Sequence, residues 1–501
     1  MSDVLPFGLG AWLFVALYLC SLLLIGWFSY NARREDTLRD FYLAGSGFGY
    51  FVLFLTLYAT QYSGNTVFGV AGATYREGFA WLIAVHYMLA IVVCYLLFAP
   101  KLYTLSRRGE YVTPVDFVQK RFGSAALSLL ASIVMIVALT NYLLAQLMTM
   151  GRVLQGFAGP FGDIAYNYGV IGLALIMVIY GTLGGMRAVA WTDVLQGGVL
   201  MLGFFVLLAL LLAQFGPLSD ATEAIAASAN VQRVAPPDAD MQRQWLSYIL
   251  IVGMGGALYP HAIQRIFAAK SRRVLNRSLA IMPFLPFTTA LVAVIAGIYA
   301  LAYIPGLEGA ETDQVLARVL RIVQERSTIG YGLVVVIFSA VLAALMSTAD
   351  SVMLSISSMF TKDIYSVHLR PDAPEAGLTR IGKRCSWTIL CALVVLAIVL
   401  KDQMSLITLL DRKFDLLVQL VPAFMIGIHW SGLKAGPTLA GLVVGLVVAL
   451  ALAFGPFDFV VAGKVWGFHP GLYGLTANLL IAVVGSLAPR NVTDSRLEVT
   501  G

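Results

Sequence analysis

Two aspartates lie inside runs that are otherwise apolar. An acid in such a place holds a positive partner or carries a proton. Asp350 falls in Met346-Ser-Thr-Ala-Asp-Ser351, and Asp193 in Trp191-Thr-Asp193. Around Asp350, residues Ala344, Ser347, Thr348 and Ser351 recur at spacings that share one face of a helix. Hydroxyls joined by freed backbone carbonyls make a shell of hard oxygens, which suits a small hard cation better than an organic group. Two stretches can free such carbonyls. Leu57-Tyr-Ala-Thr-Gln-Tyr-Ser-Gly-Asn-Thr66 sets Thr60, Gln61, Ser63, Gly64, Asn65 and Thr66 in the middle of an apolar run. Gly253-Met-Gly-Gly-Ala-Leu-Tyr-Pro-His261 carries three glycines and a proline. Glycine weakens a helix and Pro260 removes a backbone donor, so both runs should break. Two plainer readings stand beside these: Gly and Ser also permit close helix packing, and Asp193 suits a helix N-terminus. No transition-metal ligand spacing and no nucleophile–base pair at helical spacing is visible, so the chemistry is ion and solute binding and the protein is not an enzyme.

The elements that position these residues follow from composition. The chain has 501 residues, 59% hydrophobic and 12% charged, against about 25% charged in a soluble protein. The charges cluster between apolar runs of about 20 residues, the length that crosses a bilayer core. The expected architecture is an all-α membrane protein of thirteen spans, at 8–29, 48–73, 78–100, 124–158, 164–183, 188–215, 245–268, 276–304, 331–361, 382–400, 405–429, 435–455 and 470–487. The first run is read as a retained span rather than a signal peptide. Counting 22 of the 33 Lys and Arg residues, Arg265 among them, on one side predicts an outside N-terminus and a cytoplasmic C-terminus in the plasma (inner) membrane. The net charge of +6 sits beside apolar runs, so the bilayer and not nucleic acid is the partner. Residues 1–490 read as one transmembrane domain with its core at about 48–429, and 491–501 as a short cytoplasmic tail. The two interrupted runs open consecutive sets of five spans, 2–6 and 7–11. An odd number inverts the second set, and inverted repeats that each begin with a broken helix mark alternating-access transporters.

At these residues the chain resembles the sodium:solute symporter family, which includes sodium/glucose, proline and pantothenate symporters. The likeness runs from Phe41-Tyr-Leu-Ala-Gly45 through Gly184-Gly-Met-Arg-Ala-Val-Ala-Trp-Thr-Asp-Val-Leu-Gln196, Pro260-His-Ala-Ile-Gln-Arg-Ile-Phe-Ala-Ala-Lys-Ser271 and Met346–Ser351 to Thr361-Lys-Asp-Ile-Tyr365 and Pro422-Ala-Phe. It implies the leucine-transporter-type inverted five-helix repeat, with one helix ahead of the ten-helix core and two after it. It also implies sodium as the coupling ion, held by the carbonyls of Ala59, Tyr62 and Ala344 and the hydroxyls of Ser347 and Thr348. A second cation site, as in some members, would use Asp193, Asp350 and Ser351. Asp350 stands where the best-understood two-sodium members have a hydroxyl, a departure from their pattern.

The resemblance places the solute beside the break in span 2, against spans 4, 7 and 11. It nominates Gln61, Ser63, Asn65, Thr66, Asn141, Gln146, Tyr259, His261 and Gln419, with Arg152 of Met150-Gly-Arg-Val-Leu154 to pair with a solute carboxylate. The expected function is sodium-coupled import of a small organic solute, an amino acid or small carboxylate. A proton-coupled carrier of the same fold and a transport-inactive membrane sensor are the alternatives.

Overall fold

The computed structural model describes residues 8–488 apart from 34, 36, 158–161, 327, 402–405 and 462. The tail from 489 onward lies outside the described residues. The chain is helical almost throughout. Helix α1 (Leu9–Asn31) and the short α2 (Leu38–Leu43) precede a helix in two halves, α3 (Tyr50–Gln61) and α4 (Gly64–Glu77). Then come α5 (Ile83–Gly109), α6 (Val115–Phe122), α7 (Ala125–Phe157), α8 (Gly162–Gly184), α9 (Met186–Phe215) and α10 (Leu218–Ala226). A second divided helix follows, α11 (Ala239–Ala257) and α12 (Pro260–Ala268), bent by 48°. The rest comprises α13 (Arg272–Ile281), α14 (Leu285–Thr288), α15 (Ala290–Tyr303), α16 (Val315–Arg326), α17 (Thr328–Met359), α18 (Glu375–Val399), α19 (Leu406–Leu417), α20 (Ala435–Phe454) and α21 (Pro470–Leu487). A two-residue hairpin, β1 (Val460–Val461) and β2 (Lys464–Val465), joins the last two helices.

Among the described residues, ten helical stretches are long and apolar enough to cross a membrane, and the bent α11–α12 pair makes an eleventh. The expected spans 2 and 11 are built from shorter pieces: α3 and α19 have 12 residues each. Large apolar side chains cover the outside, among them Leu17, Val137, Phe205, Val447 and Leu480. An outward-facing apolar shell requires lipid as its solvent.

Helix α17 is the axis of the bundle. It packs against α3, α4, α7, α9 and α12, and from Ala340 to Met359 every residue is buried. The turn between α8 and α9 depends on Gly185, at φ +59°, where a Cβ would lie 2.4 Å from the carbonyl oxygen of Phe41. That turn sets the register of α9 against α17 and so the height of Asp193.

Candidate ion and solute site

Both expected breaks are present. Helix α3 stops at Gln61, Tyr62 and Ser63 are extended, and α4 restarts at Gly64. A helix end leaves its last carbonyls without intrahelical partners. Ala59 is one of these, and its oxygen accepts a hydrogen bond from Ser347 Oγ on α17 at 3.0 Å. Ser347 Oγ also reaches the Ala344 carbonyl at 3.2 Å, and Thr348 Oγ1 reaches the same oxygen at 3.1 Å. Four of the five oxygens expected for sodium thus converge across two helices, all on fully buried residues. Tyr62, the fifth, lies at the break itself and is buried. These donors are all neutral hard oxygens, and the described residues contain no cluster of His, Cys, Asp and Glu fit for a transition metal.

Gly64 lets the two halves meet. A Cβ there would fall 2.3 Å from Cγ of Leu345, which is fully buried and cannot swing away. Gly64→Ala should therefore lower stability by about 1–3 kcal/mol through overpacking and weaken sodium activation. Adding Leu345→Ala should relieve the clash and restore sodium activation, while its own cavity keeps stability below wild type. Thermal unfolding in detergent, with and without sodium, measures the first effect, and sodium-dependent uptake the second.

The residues grouped as a second cation site are arranged around a cation of the protein's own. Arg265, on α12, is fully buried. Its Nη2 pairs with Asp193 Oδ2 at 2.7 Å and also donates to Ser351 Oγ. Its Nε donates to Thr56 Oγ1 at 2.7 Å, and Nη1 to the His261 carbonyl at 2.9 Å. Thr56 in turn donates to Asp193. Arg265 is therefore no part of a cytoplasmic flank, and the orientation count loses it. Nor does Asp193 cap a helix: α9 begins at Met186, two turns earlier. Asp350 turns the other way, accepting from Tyr180 on α8 and from Ser351 Oγ.

A cavity of about 110 Å³ adjoins the break. Of the expected solute residues, Gln61, Ser63, Thr66 and Tyr259 line it. His261 stacks on Tyr259 at 4.9 Å and stands one layer back. Gln146 is fully buried, and its amide finds no hydrogen-bond partner among the described residues. Asn141 is half-buried on α7, and the side chain of Asn65 lies outside the described ones. Two expectations need correction. Gln419 donates to the carbonyls of Asp415 and Gly471 and packs against Gly445 of α20 and Gly474 of α21, so it anchors the last two helices. Arg152 donates to the carbonyl of Lys401 at 3.2 Å, past the end of α18, and is not on the cavity wall.

The sequence reading missed the charged residues of the wall, Asp411 and Lys413 on α19. The signal was there: Asp411-Arg-Lys-Phe-Asp415 puts four charges inside an expected span, where each is costly and therefore functional until shown otherwise.

Residues 41–445 match the Sodium:solute symporter family, and the chain belongs to it. It is 28% identical to the sodium/pantothenate symporter of Escherichia coli K12 over 467 residues, 91% of this chain and 92% of that one. It is 25% identical to the high-affinity proline transporter PutP of Bacillus subtilis over 486 residues, covering 94% and 98%. In fold it is similar to a Na+-coupled sialic acid symporter in a substrate-bound outward-open state, with a TM-score of 0.78 at 18% identity over 96% of this chain and 98% of that one. The family and these relatives are transporters, in accord with a multi-pass, non-enzymatic membrane protein.

Proposed function

We propose that the protein is a sodium-coupled symporter that imports a small organic solute by alternating access. The observation that carries this reading is the Ala59 carbonyl, freed by the α3–α4 break, meeting the Ser347 hydroxyl of α17. Sodium there ties α3 to α17 beside the solute cavity, so ion binding stabilises the arrangement that accepts solute and raises its affinity by linkage. On this reading the sodium ligands are Ala59, Tyr62, Ala344, Ser347 and Thr348, and the solute wall includes Gln61, Ser63, Thr66 and Tyr259.

We take the chain to have thirteen spans, counting α3–α4 and α19 with its continuation as crossings, with spans 2–6 and 7–11 as inverted repeats of one domain. The N-terminus is outside and the C-terminus cytoplasmic, in the plasma (inner) membrane. The cavity then opens outward along Gly69, Val70 and Ala73 of α4. Its inner side is closed by Gln264 bonded to Ser355 and Ser358, by Thr113 on Asp363 at 2.7 Å, and by the Asp116–Lys362 pair. Those polar contacts must part for inward release. With Arg265 supplying the positive charge beside Asp193 and Ser351, one sodium ion per cycle suffices.

Uptake into proteoliposomes under an imposed sodium or proton gradient tests the reading. Uptake should follow the sodium gradient and rise hyperbolically with sodium. Uptake that ignores sodium would sink it, and a sigmoidal sodium curve would restore a second ion.

A further inference from the structure

We propose that Lys413 anchors the carboxylate of the transported solute, which makes the solute an organic acid with one free carboxylate and no ammonium group. The inference rests on the transport reading above and names the solute class for the same cavity. Lys413 is 3% exposed and lines the cavity. Its Nζ lies 3.3 Å from the ring centre of Tyr142, 4.6 Å from Phe414 and 5.2 Å from Tyr259. Aromatic faces attract the ammonium electrostatically and hold it in place. They supply none of the oxygen acceptors that its three N–H bonds lose on leaving water. Among the described residues Nζ makes no hydrogen bond and no ion pair. A buried charge without acceptors is costly, and the open direction is the cavity.

What fills that direction is an anion of small size. The same cavity wall offers Gln61, Ser63 and Thr66 as hydrogen-bonding groups, and α4 begins there. Ser63 makes no side-chain capping bond to that helix start, so its positive end adds to the attraction for an anion. The remaining wall is apolar or aromatic, from Val70, Trp81, Met88, Ile91 and Val252. It suits a short carbon skeleton. Asp411, the cavity's acid, lies 3.8 Å from His469 and has Arg412 and Lys464 as further basic neighbours. Asp411 also acts on Lys413 itself, so its charge is shared among Lys413, Arg412 and Lys464 and is not vacant for an ammonium. Lys413, unlike Asp411, makes no ion pair among the described residues, so its ammonium is the group left to bind the solute directly.

The test pairs acids with their uncharged counterparts: propionate with propionamide, benzoate with benzamide, pantothenate with panthenol, and proline with prolinamide. Each is offered in sodium to purified wild type, Lys413→Met and Lys413→Arg. Binding is read by thermal stabilisation, and accumulation in sodium-loaded-outside proteoliposomes by mass spectrometry. At least one non-amino acid is expected to bind and accumulate where its neutral partner does not. Its affinity should fall by at least ~30-fold in Lys413→Met, as when a buried charge loses its partner, and recover in part in Lys413→Arg. Ligand-free Lys413→Met should melt no lower than wild type, since it removes an uncompensated charge; a structural role for Lys413 predicts the reverse. Equal binding of acid and neutral partner, or affinity in Lys413→Met within threefold of wild type, overturns the proposal and leaves symport standing. Binding of acids without sodium-driven accumulation sinks symport and leaves the anchor standing. If no member of any pair binds or accumulates, both fall.

Discussion

Arg265→Met should cost about 3–5 kcal/mol of stability, the penalty for stripping one partner from a buried ion pair. The guanidinium carries four contacts at once, to Asp193, Ser351, Thr56 and the His261 carbonyl. Without it Asp193 keeps a charge in a fully buried place, with only Thr56 to answer it. Asp193→Asn should be similarly harmful, because it leaves Arg265 buried and uncompensated. The double variant Asp193→Asn with Arg265→Met should recover most of the loss, since neutral groups of similar size replace a pair whose desolvation was itself expensive. Denaturation of the purified variants in one detergent gives the double-mutant cycle. Strict additivity of the two single losses would mean that the pair is not a unit.

Ser347→Ala with Thr348→Ala should raise the half-saturating sodium concentration by about 100-fold or more, taking hydrogen bonds or ligation to a charged group at about 1.5–3 kcal/mol each. The two hydroxyls are the side-chain ligands of the proposed shell, and the Ala59, Tyr62 and Ala344 carbonyls cannot close around the ion without them. In the ion-free protein the same substitutions lose neutral bonds to Ala59 and Ala344, worth about 1 kcal/mol each, so the protein should still fold and insert. Thr348→Ser keeps its hydroxyl and should stay near wild type. Sodium-dependent uptake across a concentration series reads the effect. Unchanged sodium affinity in the double variant would remove Ser347 and Thr348 from the site.

The breaks in α3–α4 and α11–α12 were legible because their causes are local. Glycine, proline and polar side chains in an apolar run disrupt the same few residues wherever they pack. The hydroxyl stripe on α17 was legible for a similar reason, since helical spacing alone puts Ala344, Ser347, Thr348 and Ser351 on one face. Asp193, Gln419, Arg152 and Lys413 were not readable in this way. Each is long or charged, and its role depends on which neighbour its tip meets. Asp193 read as a cation ligand or a helix cap, and it is the partner of Arg265, 72 residues away. Gln419 read as a solute contact from its place in span 11, yet it faces α20 and α21. Lys413, passed over, lies among three aromatic rings.

By itself, then, the sequence determined that this protein lives in a bilayer, where its helices run and where two of them break. Those features depend on the length of apolar runs against the bilayer thickness and on backbone chemistry within a turn or two. Only the tertiary structure decided that Arg265 answers Asp193, that Ser347 meets Ala59 across 288 positions of chain, and that Lys413 faces the cavity. A helical period tells which side chains share a face, but the energy of a buried charge is set by the atoms of other helices within a few ångströms, and those are chosen by packing.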